Sequence, residues 1–378
     1  MKSVRAFAPG RTELAGNHTD HQGGRVIAAA VSCGIDMELQ DNGSNAASLE
    51  SAGFAPVEFS LCDLAPVRAE CNTTAALVRG VVACLREAGV PVTGFEARVS
   101  STVPAGSGLS SSAAFELALA SGLLVLFGDG ADFASIDLAR MGQRAESEYF
   151  GKPCGLMDQA AVAYGGVNLF DFGTESVSIE RIDIDFSCSG YALCLIDTHC
   201  DHSLYTEEYA QVARDMGDVA QLLGVTGLSQ VTRDEFLSRF EDVRSQLGDL
   251  PALRGLHYYN EMRLVEERAQ ALREGDMAAF LVATRASGAS SAQYLQNVST
   301  FDRACQPAMV ALALADLLLE GEGAVRIHGG GFGGTVQAFA PVDRLEFFRR
   351  GIDAQLGEGS CQVYDIVDGG ARAQWAAE

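Results

Sequence analysis

Basic residues are scarce in this chain: 27 Lys and Arg stand against 50 Asp and Glu in 378 residues, a formal net charge of −23. That balance tells against nucleic acid or an anionic membrane as a partner, since either needs a basic face. A nucleotide stays open, because its phosphates need only local backbone donors and one or two cations; most of the acidic excess serves solubility. No run of about 18 uncharged apolar residues exists, and no basic-then-apolar leader opens the sequence. The ten cysteines never form Cys-x-x-Cys and sit mostly among apolar neighbours. They read as buried free thiols in a reducing cytoplasm rather than as a disulfide frame. Repeats, low-complexity tracts and long linkers are missing too. With 48% hydrophobic residues, the length fits two domains, each with its own core.

What is present centres on Pro104-Ala-Gly-Ser-Gly-Leu-Ser-Ser-Ser-Ala-Ala114. Glu96 to Val103 alternates like a strand, and the apolar run from Ala113 to Phe127 continues as a helix. Glycines at the tight points let backbone N–H groups converge on an oxyanion, and the helix start adds unpaired N–H donors and a positive dipole end. Strand, glycine loop and helix make a phosphate cradle, although no Gly-Lys-Ser/Thr follows at Walker spacing. Its plain alternative is a polar helix cap with glycine turns.

Upstream, Arg11, Glu13, Asn17, His18 and Asp20 crowd a strand and the loop after it. That mix of donors and acceptors suits a polyhydroxylated small molecule. His18 and His21, or His199 and His202 around Cys200, could chelate a metal, but neither pair brings a four-ligand zinc spacing. Thr73 to Gly89 and Asp132 to Phe150 read as helices, the second ending on Glu146 and Glu148. Acidic residues at a helix C-terminus oppose its dipole, a local violation that points to a nearby cation. Asp158 follows in Gly151-Lys-Pro-Cys-Gly-Leu-Met-Asp-Gln159, where it caps a short helix or serves a site. The region from Asp36 to Asp63 reads as a meander of strands. Near the end, Gly329, Gly331 and Gly334 form a formal Gly-x-Gly-x-x-Gly, but Thr335 to Phe339 alternates like a strand, so a dinucleotide fingerprint is rejected. Helices are expected over Leu204 to Leu223, from a Thr232/Glu235 capping box to about Gly248, and over Tyr258 to Gly275, Met277 to Gln296, Pro307 to Glu320 and Asp343 to Leu356. A strand from Cys361 to Val367 follows.

Taken together, these stretches resemble the GHMP small-molecule kinases and, within them, the galactokinase branch. Arg11 to Asp20 is similar to that branch's sugar signature, Gly106 to Ala113 to its phosphate loop, and Gly329 to Gly334 to its third motif. Cys154 to Gln159 resembles its catalytic segment; His202-Ser-Leu with Glu208-Tyr209 resembles a sugar-contacting stretch. The resemblance implies an α+β fold of two domains, 1–195 and 196–378, with the active site between them. It implies ATP-dependent phosphorylation of the anomeric hydroxyl of galactose with Mg²⁺, and a monomer or weak homo-oligomer. Asp158 and Arg11 would be catalytic; Glu13, Asn17, His18, Asp20, Gly155 and Tyr209 would contact sugar. Gly106, Ser107, Gly108, Leu109, Ser110, Ser111 and Ser112 would wrap the nucleotide phosphates, with Ser112 and Glu146 holding the metal. One departure concerns the sugar: the branch has Asn-Leu-Ile-Gly-Glu where this chain has Glu13-Leu-Ala-Gly-Asn17. If Glu13 reaches the pocket, galactose recognition survives by exchange; if not, tolerance at C6 widens. His328 replaces a threonine-type residue, which nothing in the sequence explains. Another monosaccharide acceptor, or a sugar sensor without turnover, is the alternative reading.

Overall fold

The computed structural model of the protein describes residues 3–376 apart from 105, 153, 174, 175, 201–204 and 301. The expected sugar-contacting stretch at His202 therefore lies outside the described residues. Strands run as β1 (Ser3–Ala15), β2 (Arg25–Asp41), β3 (Ala46–Ser51), β4 (Val57–Ser60), β5 (Phe95–Ser101), β6 (Val167–Asp171), β7 (Ser178–Ile182), β8 (Tyr191–Asp197), β9 (Ala324–Ile327), β10 (Thr335–Pro341), β11 (Cys361–Tyr364) and β12 (Arg372–Trp375). Helices run as α1 (Thr74–Glu87), α2 (Ser111–Phe127), α3 (Ser135–Arg144), α4 (Met157–Tyr164), α5 (Thr206–Leu222), α6 (Arg233–Ser238), α7 (Phe240–Leu247), α8 (Asp249–Glu274), α9 (Met277–Ser290), α10 (Pro307–Leu319) and α11 (Leu345–Leu356).

Two sheets organise this α+β, two-domain fold. The larger has the order β12-β1-β2-β5-β3-β4, with β6 on β2 and β7 on β6; the smaller is β11-β8-β10-β9. Strand β2 is long enough to serve three neighbours, pairing β1 along its length, β6 through Arg25–Ala29 and β5 through Ile35–Asp41. The expected meander is thus corrected: β2 and β3 are not partners, and β3 lies parallel to β5. An intervening helix, α1, makes that parallel return possible.

Helix α2 is buried continuously from Ala113 to Leu123. A helix apolar on all sides belongs inside, and α2 packs against β1 and β2 with α1, α3 and α4 around it. Its start is thereby fixed relative to β1, which carries Arg11. Strands β9 and β10 form an antiparallel hairpin around Gly329–Gly334, with Val336 opposite Ile327, as expected for a turn that is not a dinucleotide fingerprint. The 195/196 division falls inside β8, and β12 returns the chain to the larger sheet, antiparallel to β1.

The Thr232/Glu235 capping box forms in both directions, but the helix breaks at Arg239 into α6 and α7. Helix α8 begins at Asp249 rather than at Tyr258; Pro251 sits in its first turn, where a missing N–H costs nothing. All ten cysteines are free, but only Cys33, Cys84, Cys194 and Cys361 are buried, which corrects the expectation that most would be. No helix among the described residues is long and apolar enough to cross a membrane.

Candidate active site

The loop between β5 and α2 is built to present N–H groups. Gly106, Ser110 and, between them, Gly108 take φ of 73°, 55° and 66°. Left-handed residues at alternate positions turn successive N–H groups toward one side, making an anion-binding concavity. The carbonyls are held from the other side. Thr335 Oγ1 donates to the Ser107 carbonyl at 3.0 Å, the Arg11 guanidinium donates to the Gly108 carbonyl, and the Arg11 main-chain N–H donates to the Leu109 carbonyl at 3.1 Å. In a trans peptide the N–H points opposite to its C=O, so the N–H groups of Gly108, Leu109 and Ser110 face away from these anchors. None of the three donates a hydrogen bond among the described residues. The first turn of α2 adds its own unpaired N–H donors at Ser111 and Ser112.

Beside this concavity Arg11 meets Asp158, which is brought there by the start of α4. The pairing is a two-pronged fork, Nε to Oδ1 at 2.7 Å and Nη2 to Oδ2 at 2.9 Å. Ser110 Oγ donates to the same Oδ2. Burial alone would raise the Asp158 carboxyl; the Arg11 charge and the hydrogen bonds from Arg11 and Ser110 outweigh it and hold the group below its ordinary value. Asp158 is therefore an ionised acceptor at neutral pH. Its side chain keeps 23% of its surface open, whereas Arg11 keeps 8%, so the carboxylate is the member of the pair that a ligand can reach.

On the other flank, Ser112 Oγ donates to Glu146 Oε1 at 2.9 Å. Glu146 lies in a π-helical turn, Ala145–Phe150, that widens the end of α3, a distortion common at functional positions. Lys152 Nζ sits 3.0 Å from the same Oε1, and Gln159 Nε2 bridges Glu146 Oε2 at 2.8 Å and Glu116 Oε2 at 3.0 Å. Burial and the nearby Glu146 push the Glu116 carboxyl well above its ordinary range. Among the described residues no group of three or more His, Cys, Asp or Glu side chains could hold a metal unaided. One hydroxyl and one carboxylate do suit Mg²⁺, which keeps several waters and takes phosphate oxygens to complete its shell.

The polar residues after β1 divide into two groups. His18, with φ of 58°, bonds the Gly330 carbonyl at 3.1 Å and His21 at 3.3 Å; its ring centroid is 5.2 Å from that of Tyr209. Burial, then the proximity of His21, lowers His18 to about 3, so it is neutral. The Asp20 carboxylate lies against Gly155, where a Cβ would stand 2.3 Å from Oδ2. His18, Asp20, Gly155 and Tyr209 are thus gathered together, and the Asp158 charge reaches Asp20 and Tyr209. Asn17 and Glu13 are turned to other partners. Asn17, with no exposed surface, donates to the Gly329 carbonyl at 2.6 Å and accepts from Asn297 at 2.9 Å. The Glu13 carboxylate is paired with Arg326, whose side chain is fully buried. A route for Glu13 into the sugar pocket is not what the geometry shows.

That pair joins the two sheets, because Glu13 is on β1 and Arg326 on β9. Removing one partner of a buried ion pair strands the other. Arg326→Met is expected to lower unfolding free energy by about 3–5 kcal/mol; urea denaturation checks it, and adding Glu13→Gln should recover a substantial part. A loss below about 1 kcal/mol would show the pair to be dispensable.

Sequence reasoning missed Arg326, Lys152, Gln159 and Asn297. Arg326 had a signal, a charge inside the short apolar strand Ala324-Val-Arg-Ile327. Lys152 had one too, since it closely follows the acidic helix end that called for a cation; Gln159 and Asn297 carried none, because their partners are distant in sequence or are themselves ordinary polar residues.

Residues 2–38 match the pattern described as the galactokinase galactose-binding signature, and residues 76–166 match the GHMP kinases N terminal domain. The chain is 33% identical over 375 residues to a galactokinase of Streptomyces coelicolor, spanning 97% of this chain and 92% of that one. It is 29% identical over 350 residues to a galactokinase of Actinobacillus pleuropneumoniae, spanning 91% and 87%. Among solved structures, Lactococcus lactis galactokinase complexed with galactose superposes with a TM-score of 0.84 at 23% identity, covering 98% of this chain and 94% of that one. L. major mevalonate kinase in complex with R-mevalonate gives 0.65 at 17%, covering 97% and 96%. The structural likenesses speak for the fold.

Proposed function

The chain belongs to the galactokinase family, and on that premise we propose that it transfers the terminal phosphoryl group of ATP to the anomeric hydroxyl of galactose, releasing ADP. The observation that carries this reading is the Arg11–Asp158 fork standing beside a loop whose N–H groups donate to no other described residue. Phosphoryl transfer asks a protein mainly to align reactants and neutralise charge. The loop from Gly106 to Ser112 receives the phosphates. Ser112 and Glu146 would hold Mg²⁺, which supplies charge neutralisation on the phosphate oxygens when bound. Asp20, the Gly155 amide, His18 and Tyr209 line the acceptor side.

Asp158 faces the anomeric hydroxyl. Held at low basicity by Arg11, it orients that hydroxyl as a hydrogen-bond acceptor and takes the proton as the new oxygen–phosphorus bond forms. Arg11, already placed between loop and carboxylate, stabilises the transferring group. Lys152, whose side chain is 55% exposed, contributes a second cation on the Glu146 flank, where partial desolvation opposes its charge but Glu146 and Asp158 prevail and raise it.

A coupled ADP-release assay over a panel of monosaccharides tests the assignment. Galactose turnover is expected; absence of turnover with every sugar would favour a sensor. Because Glu13 is engaged by Arg326 and Asn17 by Gly329 and Asn297, neither offers a free acceptor for a C6 hydroxyl. We expect 6-deoxygalactose to be used with kcat/KM within about tenfold of galactose, since only a site that bonds a hydroxyl rejects its absence by about 10⁴–10⁵. A rejection of that size would show that some residue of the acceptor side bonds the C6 hydroxyl.

A further inference from the structure

We propose that His328, singly protonated on Nδ1, is a positioning residue that sets the Ser107–Gly108 peptide of the phosphate loop through Thr335. The inference rests on the phosphate-binding reading of that loop and adds a residue to it. His328 is buried between β1, the phosphate loop and the start of β10, the first two of them remote in sequence. Its Nε2 is 3.0 Å from Thr12 Oγ1 on β1, and its Nδ1 is 2.9 Å from Thr335 Oγ1 at the start of β10. Thr335 Oγ1 in turn donates to the Ser107 carbonyl at 3.0 Å. At the other end, Gln337 Nε2 donates to Thr12 Oγ1 at 2.8 Å and to the Glu13 carbonyl at 3.0 Å.

The direction of every proton follows from the two ends, because a carbonyl can only accept. The Glu13 carbonyl fixes the Gln337 amide with its nitrogen inward. Thr12 therefore accepts from Gln337 and spends its single proton on His328 Nε2. At the far end the Ser107 carbonyl takes the one proton of Thr335, so Thr335 must accept, and His328 Nδ1 carries the donor. Each hydroxyl gives once and receives once, and the imidazole is left neutral with one tautomer. Burial, followed by the charges of Arg11 and Arg326, holds His328 well below its ordinary value, which agrees with this arrangement.

The relay matters because of where it ends. The Ser107 carbonyl and the Gly108 N–H belong to one planar peptide; anchoring the first aims the second into the concavity. His328 touches no reacting atom, so its loss should weaken nucleotide binding and leave acceptor binding alone. It also gives the histidine at this position a partner, since Thr335 is what it holds.

Steady-state kinetics and ADP calorimetry on wild type, His328→Leu, Thr335→Val and the double variant test the inference. The expected result is a rise in KM for ATP and in the ADP dissociation constant of about tenfold in each single variant, the scale of one buried hydrogen bond with its orientation. KM for the sugar should stay within about twofold, and the double variant should be no worse than either single one, since both cut the same relay. His328→Asn, which keeps a donor near the Nδ1 position, should recover most of the loss. Nitrogen NMR of the wild-type imidazole should show the Nδ1–H tautomer. The proposal is overturned by an Nε2–H tautomer, by additive losses, by unchanged nucleotide binding, or by equal rises for both substrates. A wild-type protein that turns over no sugar would instead count against the kinase reading, which separates the two failures.

Discussion

Asp158→Asn should fold as the parent does and lose about 10²–10⁴ in kcat, the range expected when a positioned proton acceptor is removed. The amide retains the shape of the side chain but not its charge. It also turns one oxygen of the fork into an NH2 group facing a guanidinium that can only donate. The Arg11 contacts at 2.7 and 2.9 Å cannot both survive that change. KM for ATP should move less than kcat, because the loop N–H groups are anchored independently by Thr335 and the Arg11 backbone. Matching circular dichroism and thermal melts establish that the fold is retained; a kcat within about threefold of wild type would remove Asp158 from the chemistry.

Arg11→Lys should be worse, with a fall of about 10³–10⁵ in kcat/KM for ATP, the range attributed to a single anion-stabilising arginine in phosphoryl transfer. One guanidinium spans two jobs here, gripping both Asp158 oxygens and the Gly108 carbonyl. An ammonium supplies the charge at one point but cannot fork, so either the carboxylate or the loop loses its anchor. The Arg11 main-chain N–H to the Leu109 carbonyl remains, so the loop should keep its general course. Nucleotide titration and single-turnover rates would separate weaker binding from slower transfer. A lysine variant that kept a tenth of wild-type activity would show that charge alone suffices.

The glycine turn ahead of α2 was legible as a backbone feature because its chemistry is local: glycines, serines and a following apolar helix occupy consecutive positions, and each states its own backbone requirement. The acidic end of α3 was legible for a similar reason, since Glu146 contradicts the helix dipole in its own segment. The resemblance set Arg11 beside Asp158, but neither segment alone could join them, because their meeting depends on α4 and β1 packing against the same helix α2. Glu13 shows the limit most clearly. Its position suggested the sugar pocket, and only the strand β9, more than 300 residues later, reveals that Arg326 takes its carboxylate. His328 was conspicuous and inexplicable in the sequence for the same cause: the hydroxyls that give it meaning lie on β1 and β10, and the carbonyl beyond them lies in the loop. The start of α8 lies earlier than expected because Pro251 is accommodated in its first turn.

Strand β12 lies against the very strand that bears Arg11, with Phe7 opposite Arg372. The edge of the larger sheet is therefore closed by residues separated from it by almost the entire sequence. Pairings of that span bring a large entropic penalty before they yield contacts, and they slow folding. Until they form, β1 offers an open row of amide and carbonyl groups to any extended segment nearby. The strand that bears Arg11 is consequently open to mispairing until β12 arrives.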